Sequence, residues 1–470
     1  MTQVISNKKP PYLLMMVATV LYLGVTTFFE EGITSLDSIY SALMTTTEFY
    51  LTFALCAILF LLVLFIAKRH FGIGINWPFF LLCLVLFLTD VIGVCLFPEL
   101  TVLCGVYHMT TTLRLRYIAF WLAACMAFYV FFAIMPKTVK SSNDWNVVYW
   151  GGIIVALSSC LYSYVKEWFI YSSILNPAQA LDPYYSPRSF TNNRNTYASL
   201  LLIGIFASFY LFTRTRKWWY FAIGVFLGVN VILTLSKTAI MCAIVFLFIF
   251  VIYDCVKTVK TNPFLSSLIL ILVAFFFIFP FLVRPLGLAE KYDVLAKIDS
   301  YVRNITDLHD IHGFSSLMDR SNIWSTILTF SFSDLTKTLF GIGDWNFSWY
   351  LGFLMGGNGA YIESAHSGFF DVLGRLGLIG VAFYLVLLGY FVCGIVDNYK
   401  HKRNGSTVLV AIWVCSLIHG LFEDTNFLNM QTKPMILLFM AYMPMLTNWY
   451  FDEHPEKEDK WIVSPASLRI

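Results

Sequence analysis

About a dozen apolar stretches, each close to the length that crosses the hydrocarbon layer of a bilayer, recur along this chain and constrain its fold more than any other feature. An α-helix rises about 1.5 Å per residue, so roughly 20 apolar residues cover a bilayer core. The runs lie near 12–29, 49–67, 77–97, 117–135, 147–165, 197–213, 218–235, 238–255, 263–283, 376–396, 406–422 and 435–450. Length alone, 470 residues, suggests several soluble domains. With 59% hydrophobic and only 13% charged residues, the chain is instead expected to be an all-α polytopic membrane protein. A formal charge of +3 is too small to point to nucleic acid.

Lys8 and Lys9 precede the first run as they would in a signal peptide, but no small-residue cleavage pattern follows, so a retained span is expected. Basic residues of short loops stay cytoplasmic. Lys68/Arg69, Lys137/Lys140, Arg214/Arg216/Lys217, Lys257/Lys260 and Lys400/Lys402/Arg403 fall on the same side as Lys8/Lys9 if every run crosses, and Glu30, Glu31, Glu423 and Asp424 fall on the other. The expected organisation is nine spans over 1–283, a large extracytoplasmic loop over 284–366, three spans over 367–450 and a cytoplasmic tail over 451–470. The shorter outer segment 166–196 carries Pro177, Pro183 and Pro187, which predict an ordered but irregular loop. A loop as long as 284–366 is expected to hold helices and function. Within it Ile323, Trp324, Ile327, Leu328 and Phe330 recur at helical spacing.

Polar residues in such a chain are few, and the ones at membrane edges carry the functional argument. His366 heads the segment AHSGFFDVLGRLGLIG, directly after the large loop. A functional role is expected of it over that of a helix-capping histidine, because ionisable groups rarely sit at membrane edges without a job. Lys237 stands in LTLSKTAIM where an outer turn re-enters the bilayer, and Arg320 stands in SSLMDRSNIWSTI four residues before Trp324. Asp319 offers Arg320 a purely local partner, and Asp371 and Arg375 read as an i,i+4 ion pair. Arg114 and Arg116 read as cations for lipid phosphate. Asp307, His309, Asp310 and His312 form a short cluster that more simply stays solvated, so no metal is expected. Trp345, Phe347, Trp349, Tyr350 and Tyr361 suit either sugar stacking or interfacial anchoring. Most of the ten cysteines lie in apolar runs without ligand spacing and read as small core residues.

The spacing of His366 and Ser367 to Gly377 and Gly380 resembles the histidine motif of the O-antigen ligase family, which is related to the O-antigen and capsule polymerases. Three further positions resemble that family in the same order. Lys237 stands where the family has the arginine of a Ser-Arg-Gly stretch, Arg320 and Trp324 match its arginine and tryptophan, and Asn195 opens a span with Arg194 in place of the usual proline. Where Arg375 stands the family often has an acidic residue. The resemblance implies a glycosyltransferase C-type-like membrane fold and an undecaprenyl-pyrophosphate-linked glycan as donor, with an acceptor glycan or lipid at the outer face of the bacterial cytoplasmic membrane. It also implies His366 and Arg320 as catalytic, Lys237, Arg320 and Arg194 as pyrophosphate-binding, Asn195 and Trp324 as substrate-binding, and no cofactor.

The chemistry is consistent with those roles. Transfer from a lipid-linked pyrophosphate needs charge stabilisation on the departing group and a base for the acceptor hydroxyl. Arginine and lysine supply the first, and imidazole, with an ordinary pKa of about 6.5, suits the second. Two rivals follow: a polymerase of the same superfamily, whose acceptor is another lipid-linked repeat, and a flippase or secondary transporter. Transporters favour repeated halves and midplane charges, and this chain shows neither.

Overall fold

The computed structural model of the protein describes, with internal gaps, residues 46–97, 118–134, 146–258, 263–302, 311–400 and 406–422. Runs 12–29 and 435–450 lie outside the described residues, as do Arg114, Arg116, Asp307, His309, Asp310 and Tyr361. Among the described residues the fold is all-helical, with no strand. The helices are α1 (Thr46–Phe71), α2 (Trp77–Leu96), α3 (Asn146–Lys166), α4 (Trp168–Leu175), α5 (Arg194–Thr215), α6 (Trp218–Leu233), α7 (Lys237–Thr258), α8 (Ile311–Ser331), α9 (Leu335–Phe340), α10 (Asp344–Gly356), α11 (Gly368–Lys400) and α12 (Ser406–Phe422). Four of them contain stretches long and apolar enough to cross a membrane: Phe79–Leu96, Val148–Lys166, Arg194–Thr215 and Gly368–Val386. Shorter apolar helices Trp218–Leu233, Lys237–Ile252 and Thr407–Phe422 pack among them.

Helix α5 is the hub, packed against α3, α6, α7 and α12. Its small residues explain why. A Cβ added to Gly204 would lie 2.5 Å from the Ala156 Cβ on α3 and 2.6 Å from Leu227 Cδ1 on α6, so three backbones converge there. In lipid, where helix association gains little from the hydrophobic effect, such close approach is a main source of attraction. Ring contacts give the directions. Tyr149 at the start of α3 stacks on Tyr210 near the end of α5 at 4.2 Å, and Trp150 lies 5.3 Å from Trp219 at the start of α6. At the other end Tyr164 donates to Asn230 Oδ1 at 2.7 Å. Helix α5 therefore runs antiparallel to α3 and α6, which run parallel to each other. The end carrying Arg214 and Lys217 is opposite the end carrying Arg194 and Lys237. Cys242 and Cys415 hold α7 against α12 through reciprocal thiol-to-carbonyl contacts of 3.4 and 3.2 Å.

The segment after residue 310 forms a small helical layer with its own core. Ile323, Ile327, Phe330, Ile342, Phe347, Leu351 and Ala365 cluster with Phe97, the residue that follows α2. Of the apolar face expected of 323–330, Ile323, Ile327 and Phe330 are buried and Trp324 packs beside them, on the side where α8 meets α10 and α11, whereas Leu328 is exposed. Helix α9 opens with Asp334, whose carboxylate accepts from Thr336 N–H at 2.6 Å and is held below its usual range by that bond.

The run placed at 376–396 begins eight residues earlier, at Gly368, and is broken at Gly377, which has φ 62°. The polar pair Asp371 and Arg375 lowers the hydropathy of the first part, so an apolar-run reading starts too late. The break leaves carbonyls without helical partners. Ile342 N–H donates to Gly374 O at 3.1 Å and Gly343 N–H to Arg375 O at 2.9 Å, so the 341–343 backbone replaces the missing bonds. Gly377 therefore serves as a break rather than a smooth packing face, and its added Cβ would sit 2.5 Å from the Leu339 carbonyl carbon. Gly377→Ala is expected to destabilise the protein by on the order of 2–3 kcal/mol, from left-handed backbone plus overlap with a fixed carbonyl. A lowered thermal midpoint of the purified variant in detergent is the readout, and an unchanged midpoint would count against this packing.

Candidate active site

The start of α5 is fixed by a carboxylate. Glu167, between α3 and α4, accepts Arg188 N–H at 3.2 Å and Ser189 N–H at 2.9 Å, and also the Ser163 hydroxyl. Ser189 has φ 56° and donates its hydroxyl to Ser159 O at 2.8 Å. Residues 188 and 189 are therefore pinned just before Arg194 and Asn195 emerge; of the irregular loop expected over 166–196, Trp168–Leu175 is helical and Pro177 and Pro183 lie outside the described residues. Tyr171 on α4 reinforces the junction through Ser163 at 3.0 Å and Tyr197 at 3.2 Å. Burial pushes its phenol up to about 12, so the hydroxyl stays protonated.

Asn195 reaches across to the α6–α7 turn, where its Oδ1 accepts the Ser236 hydroxyl at 2.9 Å. That turn is tight, with Leu235 at φ 57°, and it delivers Lys237 as the exposed first residue of α7. Lys237 is consequently a helix N-terminal cation beside Asn195, at the end of the bundle away from Arg214. Arg194 is half-buried one residue earlier.

The second half of the site is built on the loop layer. Arg320 of α8 donates from Nη1 to the carbonyl of Phe422, the last residue of α12, at 2.8 Å. A guanidinium at a helix C-terminus is electrostatically favoured. Asp319 lies in the part of α8 whose side chains are outside the described residues. One turn further, Trp324 donates its indole N–H to Ala365 O at 2.9 Å and stacks on Phe370 at 5.1 Å.

Ala365 is held on both sides. Its carbonyl takes the Trp324 bond, and its N–H donates to Asp371 Oδ1 at 2.9 Å. His366 follows with φ 49°, a conformation uncommon for a residue with a Cβ, and its N–H donates to Ser364 Oγ at 3.2 Å. The helix itself starts on Ser367, whose carbonyl accepts Asp371 N–H at 2.9 Å. Backbone capping therefore falls to Ser367, and His366 sits ahead of the helix in strained backbone, as functional residues often do.

Asp371 is fully buried and Arg375 only 4% exposed, with the pair 3.5 Å apart and the guanidinium 5.0 Å from the centre of the Phe347 ring. The expected local ion pair is present, and its carboxylate also grips the backbone before His366. Removing that carboxylate leaves a buried cation without its ion-pair partner, so Asp371→Ala is expected to cost about 3–5 kcal/mol. Thermal unfolding in detergent tests it: a loss under about 1 kcal/mol, the value typical of exposed pairs, would mean the pair is solvated. Phe347 and Trp349 are buried and belong to the core rather than to a sugar platform.

One residue escaped the sequence reading. His419, near the end of α12, is buried with its Nε2 3.1 Å from Ser199 Oγ on α5. The signal was an imidazole in the last turn of an otherwise apolar run. With it, Lys237, Asn195, Arg320, Trp324 and His366 are linked along one path of hydrogen bonds and chain neighbours. Lys237 adjoins Ser236, which binds Asn195. Ser199, one turn along α5, meets His419, and the same turn of α12 ends at Phe422, which holds Arg320. Trp324 then leads through Ala365 to His366. Among the described residues no three His, Cys, Asp or Glu side chains come together as a metal-ligand set. The arrangement can present several cations and an imidazole at one end of an apolar bundle.

Residues 222–385 match the family model described as O-antigen ligase. That interval includes Lys237, Arg320, Trp324, His366, Gly377 and Gly380. No curated protein and no solved structure matches the chain.

Proposed function

We propose that this chain, whose residues 222–385 match the O-antigen ligase family model, moves a saccharide from undecaprenyl pyrophosphate to an acceptor at the outer face of the bacterial cytoplasmic membrane. The observation that supports this reading is the path of hydrogen bonds and chain neighbours that links Lys237, Asn195, Arg320 and His366 at one end of the bundle. An acceptor hydroxyl attacks the anomeric carbon. The bond to the pyrophosphate oxygen breaks, the configuration inverts, and the lipid pyrophosphate departs. His366 takes the hydroxyl proton, or else donates a hydrogen bond to phosphate while the departing pyrophosphate takes that proton. Arg320, Lys237 and Arg194 stabilise the leaving charge in place of a divalent ion, and oxyanions formed away from bulk water gain most from fixed cations. Asn195 and Trp324 hold the frame on which substrate rests.

Purified protein in liposomes, given an undecaprenyl-pyrophosphate-linked oligosaccharide and candidate acceptors, is expected to yield a product heavier by the transferred glycan. A product that grows by repeat units without any other acceptor identifies the polymerase reaction. Substrate translocation with no new glycosidic bond would overturn transfer in favour of a flippase.

The reading also sets topology, with the loop over 284–366 outside and Arg214 and Lys217 inside. Cysteine at the exposed Leu335 is expected to react with an impermeant maleimide once any outer barrier is opened, and cysteine at the exposed Lys217 only after lysis. The reverse pattern would invert the orientation and remove the site from the outer face.

A further inference from the structure

We propose that His419 is a positioning residue of the transfer site, setting the place of Arg320 relative to Arg194, Asn195 and Lys237; the proposal rests on the transfer reading above. A 2% exposed imidazole inside an apolar bundle is costly unless its polar atoms are engaged. Ser199 decides how it is engaged. The Ser199 hydroxyl lies 2.8 Å from the carbonyl of Asn195, which can only accept, so the single hydroxyl proton points there. Facing His419 at 3.1 Å, the same oxygen must then accept. His419 is therefore protonated at Nε2 and donates to α5.

The consequence is mechanical. Three residues after His419, the Phe422 carbonyl receives the Arg320 guanidinium at 2.8 Å. On the α5 side, Asn195 receives Ser236, the residue before Lys237, at 2.9 Å. One turn of α12 thus braces the two groups of cations against each other, and His419 gives it a side-chain hydrogen bond to α5. Without that bond α12 can shift on α5, changing the span that the cations offer a pyrophosphate. No contact with the reacting atoms is involved.

Full-length variants reconstituted with the undecaprenyl-pyrophosphate-linked oligosaccharide test this. The amide nitrogen of His419→Gln reaches the place of Nε2 and donates, yet cannot act as acid or base. His419→Leu and Ser199→Ala each remove the bond. Both are expected to lose ~10–100-fold in kcat/KM, mainly through KM for the donor, as an ångström-scale misplacement does. His419→Gln is expected to stay within about threefold of the parent, a difference smaller than one typical hydrogen bond. The double variant His419→Leu with Ser199→Ala is expected to be no worse than either single one. Independently of activity, ¹⁵N spectra of histidine-labelled protein are expected to show His419 as an Nε2–H imidazole whose signals move in Ser199→Ala.

Parent-like kinetics for His419→Leu at equal abundance would overturn the role. So would a His419→Gln variant as impaired as His419→Leu, or an Nδ1–H signature for His419. A parent protein that transfers no glycan but retains the Nε2–H signature would overturn the transfer reading, and this role with it, while the contact stands. Should His419→Leu fail to accumulate, the Gln and Ser199 variants and the spectra decide alone.

Discussion

Alanine in place of His366 is expected to slow glycan transfer by about 10²–10⁴-fold, the range contributed by a positioned general acid–base group. The structure makes this a sharp test because the residue's surroundings are held by other side chains. Trp324 and Asp371 grip the two sides of the Ala365 peptide, and Ser367 starts the helix. Truncating the imidazole removes none of those bonds, so the variant is expected to insert and to bind the lipid-linked donor. Added imidazole is expected to restore part of the rate if the side chain acts as a base. Should it act as a hydrogen-bond donor to phosphate, donor affinity falls instead and His366→Arg recovers part of it. Normal transfer by a well-folded His366→Ala would exclude both roles and leave a strained loop residue with a structural purpose.

For Arg320→Ala the expected loss is at least ~10²–10³-fold, the cost of removing a fixed donor that meets developing negative charge. A structural contribution is also present, since the same side chain donates to the end of α12 at 2.8 Å. Lysine separates the two. Arg320→Lys keeps the charge and can still reach a carbonyl, but it lacks the planar fork that grips phosphate, so a small fraction of activity is expected to survive. Lys237→Arg is expected to be tolerated, because a cation is kept at an exposed helix start. Parent-level turnover in Arg320→Ala, at equal membrane abundance, would leave Arg320 as a clasp on α12 only.

Much of the frame was legible before any coordinates. The apolar runs near 147–165, 197–213, 238–255 and 406–422 each became a helix with ends within a few residues of those expected. The loop between 284 and 366 was expected to hold helices, and α8, α9 and α10 are there. Hydropathy and helical spacing are local properties, carried by a window of one or two dozen residues, so a linear reading recovers them. His366, Arg320, Trp324, Lys237 and Asn195 could also be singled out, because a charged or strongly polar group at a membrane edge is conspicuous against so apolar a background.

What joins those residues was decided by tertiary structure. Arg320 and Phe422 are 102 positions apart and Ser199 and His419 are 220 apart, and no periodicity links such partners. His419 was passed over for that reason: one imidazole does not break an apolar run, and only the packing of α12 on α5 reveals the serine that faces it. Gly377 shows the same division within a single residue. Its presence after Leu376 is plain from the sequence, yet a glycine can continue a helix or end it. The choice went to a break because the backbone of 341–343 lies alongside to bond the released carbonyls of Gly374 and Arg375. In a bilayer an unbonded carbonyl is too costly to persist, so the fate of that helix depended on a segment more than thirty residues upstream.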